Sequence, residues 1–530
     1  MTYLYGASVQ GIQGYIFATN KLREMVGASE LVENLCTSGF NDFIESLQRA
    51  QPSSADAPRK ILGAAGNIKW IFPDKSLLEQ VVREFPLHVR KTVPGASVSQ
   101  AVVNVTGDVT PADLGKLEQK LKAQRNRPML ASTPDWAACS RCPRTGLPAY
   151  EIHPTKNGSE MLDEALAMKV DKSSEQSPMT RLARKLLNGT TEGSHVYRMA
   201  DQNLRFPYDL EEIINGRENT WLAVVHADGN GLGALIQKIN ADMAKNPAKT
   251  ADVFARFSEA LDKATAEAAH KAFDEVVAPG LDKTLKSLPL RPLILGGDDL
   301  TLIIRADLAV PFTESFLKAF QEFTANRMGE VGISGLEKGL TACAGIAFVK
   351  HSYPFHYGYE LAESLCTQAK QASKSSPSAA NGMIPASLAL FKVQSTFSED
   401  WKTIRERELQ VKAFEGARSL HLDYGPYALN DGTGMPTIKA LNAVVNVLSK
   451  PNAPVSGLRR WLTLIHDEPA QSEFFLERLK TVTGTDFDNE VLSRAFYALG
   501  SELDLRTPYC ARGGNLASPV VDILTLLGVA

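Results

Sequence analysis

The sequence predicts an α+β protein in which a ferredoxin-like βαββαβ unit occurs twice, and three observations support this prediction. Residues 61–72 and 292–304 each contain two short apolar runs around a Gly-rich turn, which is typical of a β-hairpin. Around each hairpin the apolar pattern predicts a strand and a helix before it and a helix and a strand after it. A chain of 530 residues is also long enough for three or four domains.

The predicted elements place the two units at residues 1–126 and 218–400. The first unit has a strand at 3–7, a helix near 29–47, the hairpin at 61–72, a helix near 76–90 and a strand at 97–105. The second unit has a strand at 222–225, helices near 232–244 and 251–277, the hairpin at 292–304, a helix near 311–326, a strand at 340–349 and a helix near 357–374. The order of elements repeats, although the residues of the two copies differ.

Two regions lie outside these units. Residues 127–217 form an insert that is interrupted by Pro, Ser and Gly and contains Cys139 and Cys142. Residues 401–530 show helical periodicity without strand alternation, which predicts an α-helical C-terminal domain.

The composition excludes several classes of protein. Hydrophobic residues make up 44% and charged residues 22% of the chain, as in ordinary globular proteins, and the formal net charge of -3 does not indicate a nucleic-acid partner. The first residues lack the basic and apolar regions of a signal peptide, and no segment is apolar over the length of a membrane span. Six cysteines in so long a chain do not suggest a disulfide framework. We therefore expect a cytoplasmic protein without membrane contact.

The turn of the second hairpin has the sequence Gly296-Gly297-Asp298-Asp299. Two adjacent carboxylates cannot be enclosed between buried strands without a counter-charge, so they are predicted at the edge of the sheet. The two glycines permit a tight turn and allow a ligand to approach the backbone closely. Gly296 and Gly297 are therefore candidate ligand contacts.

The topology brings a third carboxylate to this turn. In a βαββαβ sheet the first strand lies beside the third, so Asp228, at the end of the strand that begins near residue 222, lies against Asp298 and Asp299. Three converging carboxylates repel one another unless a divalent cation neutralises them, and Mg²⁺ or Mn²⁺ binds carboxylate and phosphate oxygens together. The three aspartates are predicted to bind two such cations and to be catalytic.

The helix that follows Asp228 begins in a Gly-rich segment, residues 229–233. Free N–H groups and the dipole at a helix N-terminus favour phosphate. Candidate nucleotide contacts are therefore Gly229, Asn230, Gly231, Leu232 and Gly233. The glycine spacing is not that of the dinucleotide-binding fingerprint.

Each of these motifs also has a plain structural explanation. Gly and Asp are common turn residues, and the segment after Asp228 could be a loop or a helix cap. The two motifs in topological register are much less common by chance than either alone, and their conjunction favours an active site.

These residues also carry a family resemblance. The second unit resembles the palm domain of nucleotide cyclases and of the GGDEF synthases of cyclic dinucleotides. It resembles most the large catalytic subunit of type III CRISPR effector complexes, which carries the same Gly-Gly-Asp-Asp spelling. Further similarity lies in residues 344–347, 353–354 and 362–370 of the second palm and in residues 11–17 and 27–31 of the first. The resemblance spans nearly the whole chain, in the order palm, insert, palm, helical domain.

The resemblance implies a function. That family makes cyclic oligoadenylate second messengers from ATP, so the chain is expected to be a nucleotidyltransferase of antiviral defence. Lys370 is expected to face the triphosphate, with Lys374 one turn further, while Ser29 and Asn67 of the first palm are candidate contacts to a second nucleotide. The expected partner is a type III-like effector complex with guide and target RNA. The sequence leaves open whether the chain also forms a homo-oligomer.

The sequence departs from the family pattern in the first palm and in the insert. The hairpin turn of the first palm has no carboxylate, so that copy is expected to be non-catalytic. Cys139 and Cys142 form half of a zinc site, but the second pair is missing near residues 164–169, and His153 would still leave the ligand count short of four. We expect a degenerate zinc-ribbon-like insert without zinc. The His-Asp nuclease domain that precedes the first palm in some relatives is also expected to be absent.

Two alternatives remain. One is a stand-alone synthase of a cyclic dinucleotide or another nucleotide conjugate, and the other is an RNA-binding scaffold subunit without turnover. In the C-terminal region, residues 458–462 combine apolar and basic side chains that suit either an interface or the core of that domain.

Overall fold

The computed structural model describes residues 2–50, 57–64, 66–127, 139–155, 158–174, 180–188, 204–215, 220–245, 249–281, 285–331, 338–394, 400–415, 418–482 and 489–529. Among these residues, no helix is both long enough and apolar enough to cross a membrane.

The first palm is a four-stranded antiparallel sheet with helices. Its elements are β1 (Thr2–Gln10), α1 (Ile12–Ile16), α2 (Leu22–Cys36), α3 (Ser38–Ala50), β2 (Arg59–Ala64), β3 (Asn67–Phe72), α4 (Lys75–Thr92), β4 (Ser97–Val105) and α5 (Pro111–Arg125). The strand order is β2-β3-β1-β4, which is the predicted βαββαβ arrangement. α5 begins with a capping box in which Thr110 and Asp113 satisfy each other's backbone N–H groups.

The helix predicted near residues 29–47 is two helices, α2 and α3. The backbone leaves the helical region at Thr37 (φ −107°, ψ −101°), and the Thr37 hydroxyl donates to the carbonyl of Glu33 at 2.6 Å. α2 also begins earlier than predicted, because the turn around Gly27 remains helical and packs closely on the insert. A Cβ atom at Gly27 would lie 1.7 Å from the carbonyl oxygen of Lys169.

The second palm has the same topology in a larger sheet. Its elements are β7 (Trp221–Gly229), α9 (Leu232–Met243), α10 (Thr250–Ala272), β8 (Leu290–Gly296), β9 (Asp299–Arg305), α11 (Ala306–Val331), β10 (Ala342–Lys350), α12 (Phe355–Ser375) and β11 (Ser387–Lys392). The order β10-β7-β9-β8 repeats that of the first palm, with β8 at the edge and β11 parallel to β10 on the other side. β7 and β9 are almost entirely buried, because helices cover the sheet.

The insert contributes β5 (Glu151–Thr155), β6 (Gly158–Leu162), α6 (Glu164–Ser174), α7 (Arg181–Asn188) and α8 (Leu210–Ile214). β5 and β6 form a hairpin, and Cys142 is buried in a small cluster with residues of β6 and α6. α6 packs against α2 of the first palm, so the insert is anchored there.

The C-terminal region contains strands as well as helices, which corrects the predicted all-helical domain. The helices are α13 (Trp401–Glu408), α14 (Ile438–Leu448), α15 (Val455–Asp467), α16 (Pro469–Val482), α17 (Asn489–Leu499) and α18 (Val520–Leu527). The strands are β12 (Gln410–Glu415), β13 (Arg418–His421), β14 (Tyr427–Ala428), β15 (Cys510–Arg512) and β16 (Asn515–Ala517). Four of them form the sheet β12-β13-β16-β15, while β14 joins β11. The sheet of the second palm therefore continues past residue 400, where the sequence predicts a domain boundary.

Candidate metal and nucleotide site

Strand pairing brings three aspartates together at one end of the second palm sheet. β7 and β9 are antiparallel neighbours, and their register places Asp228 opposite Asp299. In the β8–β9 hairpin Gly296 pairs with Asp299, so Asp298 lies in the turn itself. The juxtaposition that the topology predicts is therefore present.

The three carboxylates are close enough to share a cation. One oxygen from each of Asp228, Asp298 and Asp299 lies within 4.8 Å of the others, and in the described ranges no other group of three or more His, Cys, Asp or Glu side chains is arranged in this way. Burial raises the pKa of Asp298 and Asp299 above that of an ordinary carboxyl group, and the charge of Asp228 adds to this effect. Half-buried carboxylates that destabilise one another in this way provide the oxygen donors that Mg²⁺ and Mn²⁺ bind, so the residues fit a divalent cation.

Lys370 of α12 reaches this cluster. Its ammonium group forms an ion pair with Asp228 and donates to the carbonyl of Gly229 at 2.9 Å. α12 packs along β10 and β7, which places the lysine at the carboxylate end of the sheet. Lys374 lies exposed one turn further along the helix. The structure thus brings Lys370 to the predicted site.

The N-terminus of α9 lies beside the same aspartates. Gly231 precedes the helix with φ of 75°, a left-handed conformation that favours glycine, and it has no side chain to cap the helix. The N–H groups of Leu232 and Gly233 have no partner within the helix and lie where a phosphate could accept them. The side chain of Leu232 lines the cavity that also contains Asp298.

Asn230, a predicted nucleotide contact, forms hydrogen bonds within the protein. Its N–H donates to the carbonyl of Thr341 at 2.7 Å, and its side chain, which is buried, donates to the Thr341 hydroxyl at 3.1 Å. These bonds fasten the loop to the start of β10. The backbone N–H and the side-chain amide of Asn230 thus have protein partners, and its contact to a nucleotide stays a prediction.

Two glycines are required by close approach and by backbone conformation. A Cβ atom at Gly229 would lie 2.9 Å from both Cβ and Oδ2 of Asp298, so a larger residue would displace that carboxylate. Gly297 has φ of 62° and makes the turn between β8 and β9. Gly296 is buried at the end of β8.

Three side chains that the sequence analysis did not identify support the turn from beneath. Asp262 of α10 accepts the N–H of Gly297 at 3.1 Å and forms an ion pair with Lys185 of α7 at 2.6 Å. Thr265, one turn further on α10, donates to the carbonyl of Gly297 at 2.5 Å. Both backbone groups of Gly297 are thereby satisfied, which fixes the direction in which Asp298 points. Their separation from the motif in sequence leaves no local signal for this role.

The first palm borders the turn on two sides. A cavity of about 250 Å³ is lined by Ser29, Glu33, Gly66 and Asp299 among others, and another of about 440 Å³ by Asn67, Leu232, Phe257 and Asp298 among others. The Ser29 hydroxyl donates to the carbonyl of Leu293 in β8. Ser29 and Asn67 are therefore next to the aspartates, although the Ser29 hydroxyl is already engaged with the second palm.

The other polar residues considered above lie apart from the cluster or have structural contacts. His226 is buried and lies 3.0 Å from the Thr301 hydroxyl, and burial lowers its pKa to about 4. His153 lies in the exposed hairpin of the insert, 3.9 Å from Glu151. In the first palm, residue 65 and the side chain of Ala64 lie outside the described residues.

Binding of Mn²⁺ to this cluster is expected to weaken as the pH falls below neutrality. Because the pKa of Asp298 and Asp299 is raised, the metal-free site binds a proton at pH values where an ordinary carboxyl group is ionised, and the cation must displace it. We expect a loss of affinity of about tenfold per pH unit for one displaced proton. Calorimetric titration of Mn²⁺ from about pH 6 to about pH 8, which spans the raised pKa values of the two carboxyl groups, measures this change in affinity. A pH-independent Kd would contradict the assignment.

Comparison with known proteins agrees with this geometry. Residues 221–377 match the family model described as Cas10/Cmr2, second palm domain. The comparison with curated proteins gives no match for the sequence. The solved structure of a Csm1-Csm4 cassette in complex with pppApApA aligns with 100% of this chain and 69% of that chain, at 12% identity and a TM-score of 0.53. The apo Csm1-Csm4 cassette aligns with 99% of this chain and 70% of that chain, at 13% identity and a TM-score of 0.51.

Fold and site together define a palm-type domain with an acidic cluster that fits a divalent cation. The family model covers all three aspartates and Lys370, and the structural likeness covers the arrangement of both palms. The predicted resemblance is thereby confirmed: the chain is similar to the Cas10-like palm subunits of type III CRISPR systems.

Proposed function

We propose that this chain is a nucleotidyltransferase that joins ATP molecules into cyclic oligoadenylate second messengers in a type III CRISPR-like antiviral system. The observation that carries the proposal is the convergence of Asp228, Asp298 and Asp299 within 4.8 Å in a domain that matches the Cas10/Cmr2 second palm. The ligand of the similar cassette, pppApApA, supports ATP as the substrate. It is the linear chain that two successive adenylyl transfers from ATP would produce.

The reaction is an in-line attack of a ribose 3′-hydroxyl on the α-phosphorus of a second ATP. A P–O bond forms to the 3′-oxygen, the bond to the β-phosphate breaks, and pyrophosphate leaves. Two divalent cations, Mg²⁺ or Mn²⁺, bound by the three aspartates would supply charge neutralisation at the attacking and leaving oxygens. The aspartates fix where that charge lies, since strand pairing and the contacts of Gly297 position their backbone.

Lys370 and the N-terminus of α9 are suited to orient the triphosphate. In the structure the ammonium group of Lys370 neutralises Asp228, and a cation at the cluster would take over that role. The lysine could then contact a phosphate oxygen as a point charge. The N–H groups of Leu232 and Gly233 would bind a second part of the triphosphate.

The first palm is proposed to hold the nucleotide that provides the 3′-hydroxyl. It contributes Ser29 and Asn67 to the two cavities beside Asp299 and Asp298. The cavity with Asp298 is mainly apolar, with Phe254, Phe257 and Leu261 in its wall, and could accommodate a base. Among the described residues, the first palm contributes two carboxylates to the walls of these cavities, Glu33 of α2 and Glu118 of α5. Neither lies in its hairpin turn.

The proposed setting is a multisubunit effector complex. The similar solved structures are of Csm1 assembled with Csm4, and we propose that this chain likewise works with neighbouring subunits and with guide and target RNA. If the chain is active only within such a complex, ATP is not consumed continuously. We expect the isolated chain to be weakly active.

Incubation of the purified chain with radiolabelled ATP and Mn²⁺, followed by mass spectrometry of the products, tests the proposal. Cyclic oligoadenylates are expected, in larger amount when the chain is co-purified with its native neighbours. A cyclic dinucleotide made at full rate by the lone chain would favour the stand-alone synthase. RNA binding without any nucleotide product, alone or in the complex, would favour the scaffold and contradict the proposed activity.

A further inference from the structure

A second cavity, lined by basic side chains, lies at the opposite end of β7 from the aspartates. It has a volume of about 720 Å³ and is bordered by Trp221 at the start of β7, by Lys350 and Lys392 at the ends of β10 and β11, and by Arg459 of α15. Trp221 and Asp228 are seven positions apart in the same strand, so the two sites are separated by roughly 23 Å. The cavity is therefore distinct from the catalytic cluster.

The two lysines contact the same aromatic ring. The ammonium nitrogens of Lys350 and Lys392 lie 4.1 Å and 4.4 Å from the centroid of the Trp221 ring. Lys350 donates to the Thr220 hydroxyl at 2.9 Å, and Lys392 donates to the carbonyl of Gly528 at 3.3 Å. Both hydrogen-bond partners are neutral, so these contacts position the ammonium groups without neutralising them.

The positive charge of the cavity is not balanced from within. None of the described residues that line it carries a carboxylate. Burial lowers the pKa of Lys392, and the charges of Lys350 and Arg459 lower it further. Three cations gathered in a concave site attract an anion from solution.

Part of the segment at residues 458–462, which combines apolar and basic side chains, borders the same cavity. Leu458 and Trp461 are fully buried in the core, whereas Arg459 is exposed and lines the cavity with Leu462. The apolar side chains of Leu458 and Trp461 therefore pack in the C-terminal region, and Arg459 faces the cavity. Arg460 lies over the ring of Phe475 instead.

We propose that this cavity is a second anion site, which binds the phosphate groups of a nucleotide ligand. Its volume lies in the range of small-ligand pockets, and its lysines, arginine and aromatic rings are the groups that bind phosphates and the bases attached to them. Either a free nucleotide or the backbone of an RNA strand presents this chemistry. Because β7, β10, α15 and α18 all border the cavity, a bound phosphate would link the C-terminal helices to the palm sheet.

Binding of two probes in the presence of EDTA tests this site, since chelation leaves the carboxylate cluster without a divalent cation. The probes are inorganic pyrophosphate, measured by calorimetry, and a fluorescein-labelled uridine decanucleotide, measured by anisotropy. The cavity variant is Lys350→Gln with Lys392→Gln. Its matched control is Lys439→Gln with Lys450→Gln, two exposed lysines of the same region outside the cavity.

At least one probe is expected to bind the cavity variant about tenfold more weakly, with the control unchanged. Loss for pyrophosphate alone identifies a free phosphate ligand. Loss for the decanucleotide, with a slope of log K against log salt reduced by about 1.4 for two lost contacts, identifies an RNA strand. Arg459→Gln removes an exposed side chain and is expected to weaken the same probe without affecting folding. Unchanged affinity of both probes in all cavity variants, or an equal loss in the control, would overturn the proposal.

Discussion

Replacing Asp298 and Asp299 together by asparagine is expected to reduce the formation of product from ATP and Mn²⁺ by roughly a thousandfold or more. The substitution keeps the volume of both side chains but removes two of the three charges that would bind the cations. Because burial and mutual repulsion raise the pKa of both carboxyl groups, removal of their charge is not expected to destabilise the metal-free protein. Product yield and the Tm measured without metal report the two effects separately.

A matched control is available on the surface of the same domain. Glu314→Gln with Glu322→Gln also removes two carboxylates, each from an ion pair on α11 or between α11 and α10, away from the cluster. Surface ion pairs contribute little to stability, so activity and Tm should both stay close to those of the unmodified chain. If the Asp298→Asn, Asp299→Asn variant retains the product yield of this control, the proposed active site is wrong.

Gly345→Ala is expected to destabilise the second palm strongly, by about 3 kcal/mol or more, because the added methyl group has no space. A Cβ atom at Gly345 would lie 1.9 Å from the carbonyl oxygen of Ala362 and 2.5 Å from the backbone nitrogen of Cys366. Both atoms belong to the backbone of α12, so a side-chain rotation cannot relieve the clash. α12 must move away from β10, and Lys370 moves with it. Urea denaturation measures the loss of stability.

Gly329→Ala provides the comparison for this prediction. Gly329 lies in α11, and a Cβ atom there would meet no heavy atom within 4 Å. Alanine at a helical position of this kind is expected to stabilise the protein by roughly 0.5–1 kcal/mol. Equal midpoints for Gly345→Ala and Gly329→Ala would show that the close contact between β10 and α12 does not limit stability.

The second palm could be predicted from the sequence because its apolar runs lie close to the hairpin turn and the βαββαβ order occurs twice in the chain. The apolar runs around residues 296–299 predict a hairpin, and the βαββαβ order then determines which strand lies beside it. Asp228 could therefore be assigned to the site although it is distant in sequence from Asp298 and Asp299. Lys370 required the family resemblance, since a lysine on a helix has no signature of its own.

The residues that support the site could not be predicted in this way. Asp262, Thr265 and Lys185 act through hydrogen bonds to the backbone at residues 295–297, and nothing in their own neighbourhoods indicates those contacts. The strands of the C-terminal region escaped prediction for a related reason. They are two to six residues long, and β13 pairs with β16, which is far from it in sequence, so no alternating pattern becomes visible.

The first palm also helps to cover the edge strand β8, a structural role that does not depend on catalysis. β8 is the outermost strand of its sheet, and the carbonyls of Leu293 and Leu295 on its outer side are taken up by Ser29 of α2 and Lys185 of α7. A fragment containing only the second palm would expose these acceptors as a template for another strand, which is the usual origin of edge-to-edge aggregation. The first palm, through Ser29, and the insert, through Lys185, cover that edge without any catalytic carboxylate. The second palm is therefore expected to be produced and purified in soluble form only together with both of them.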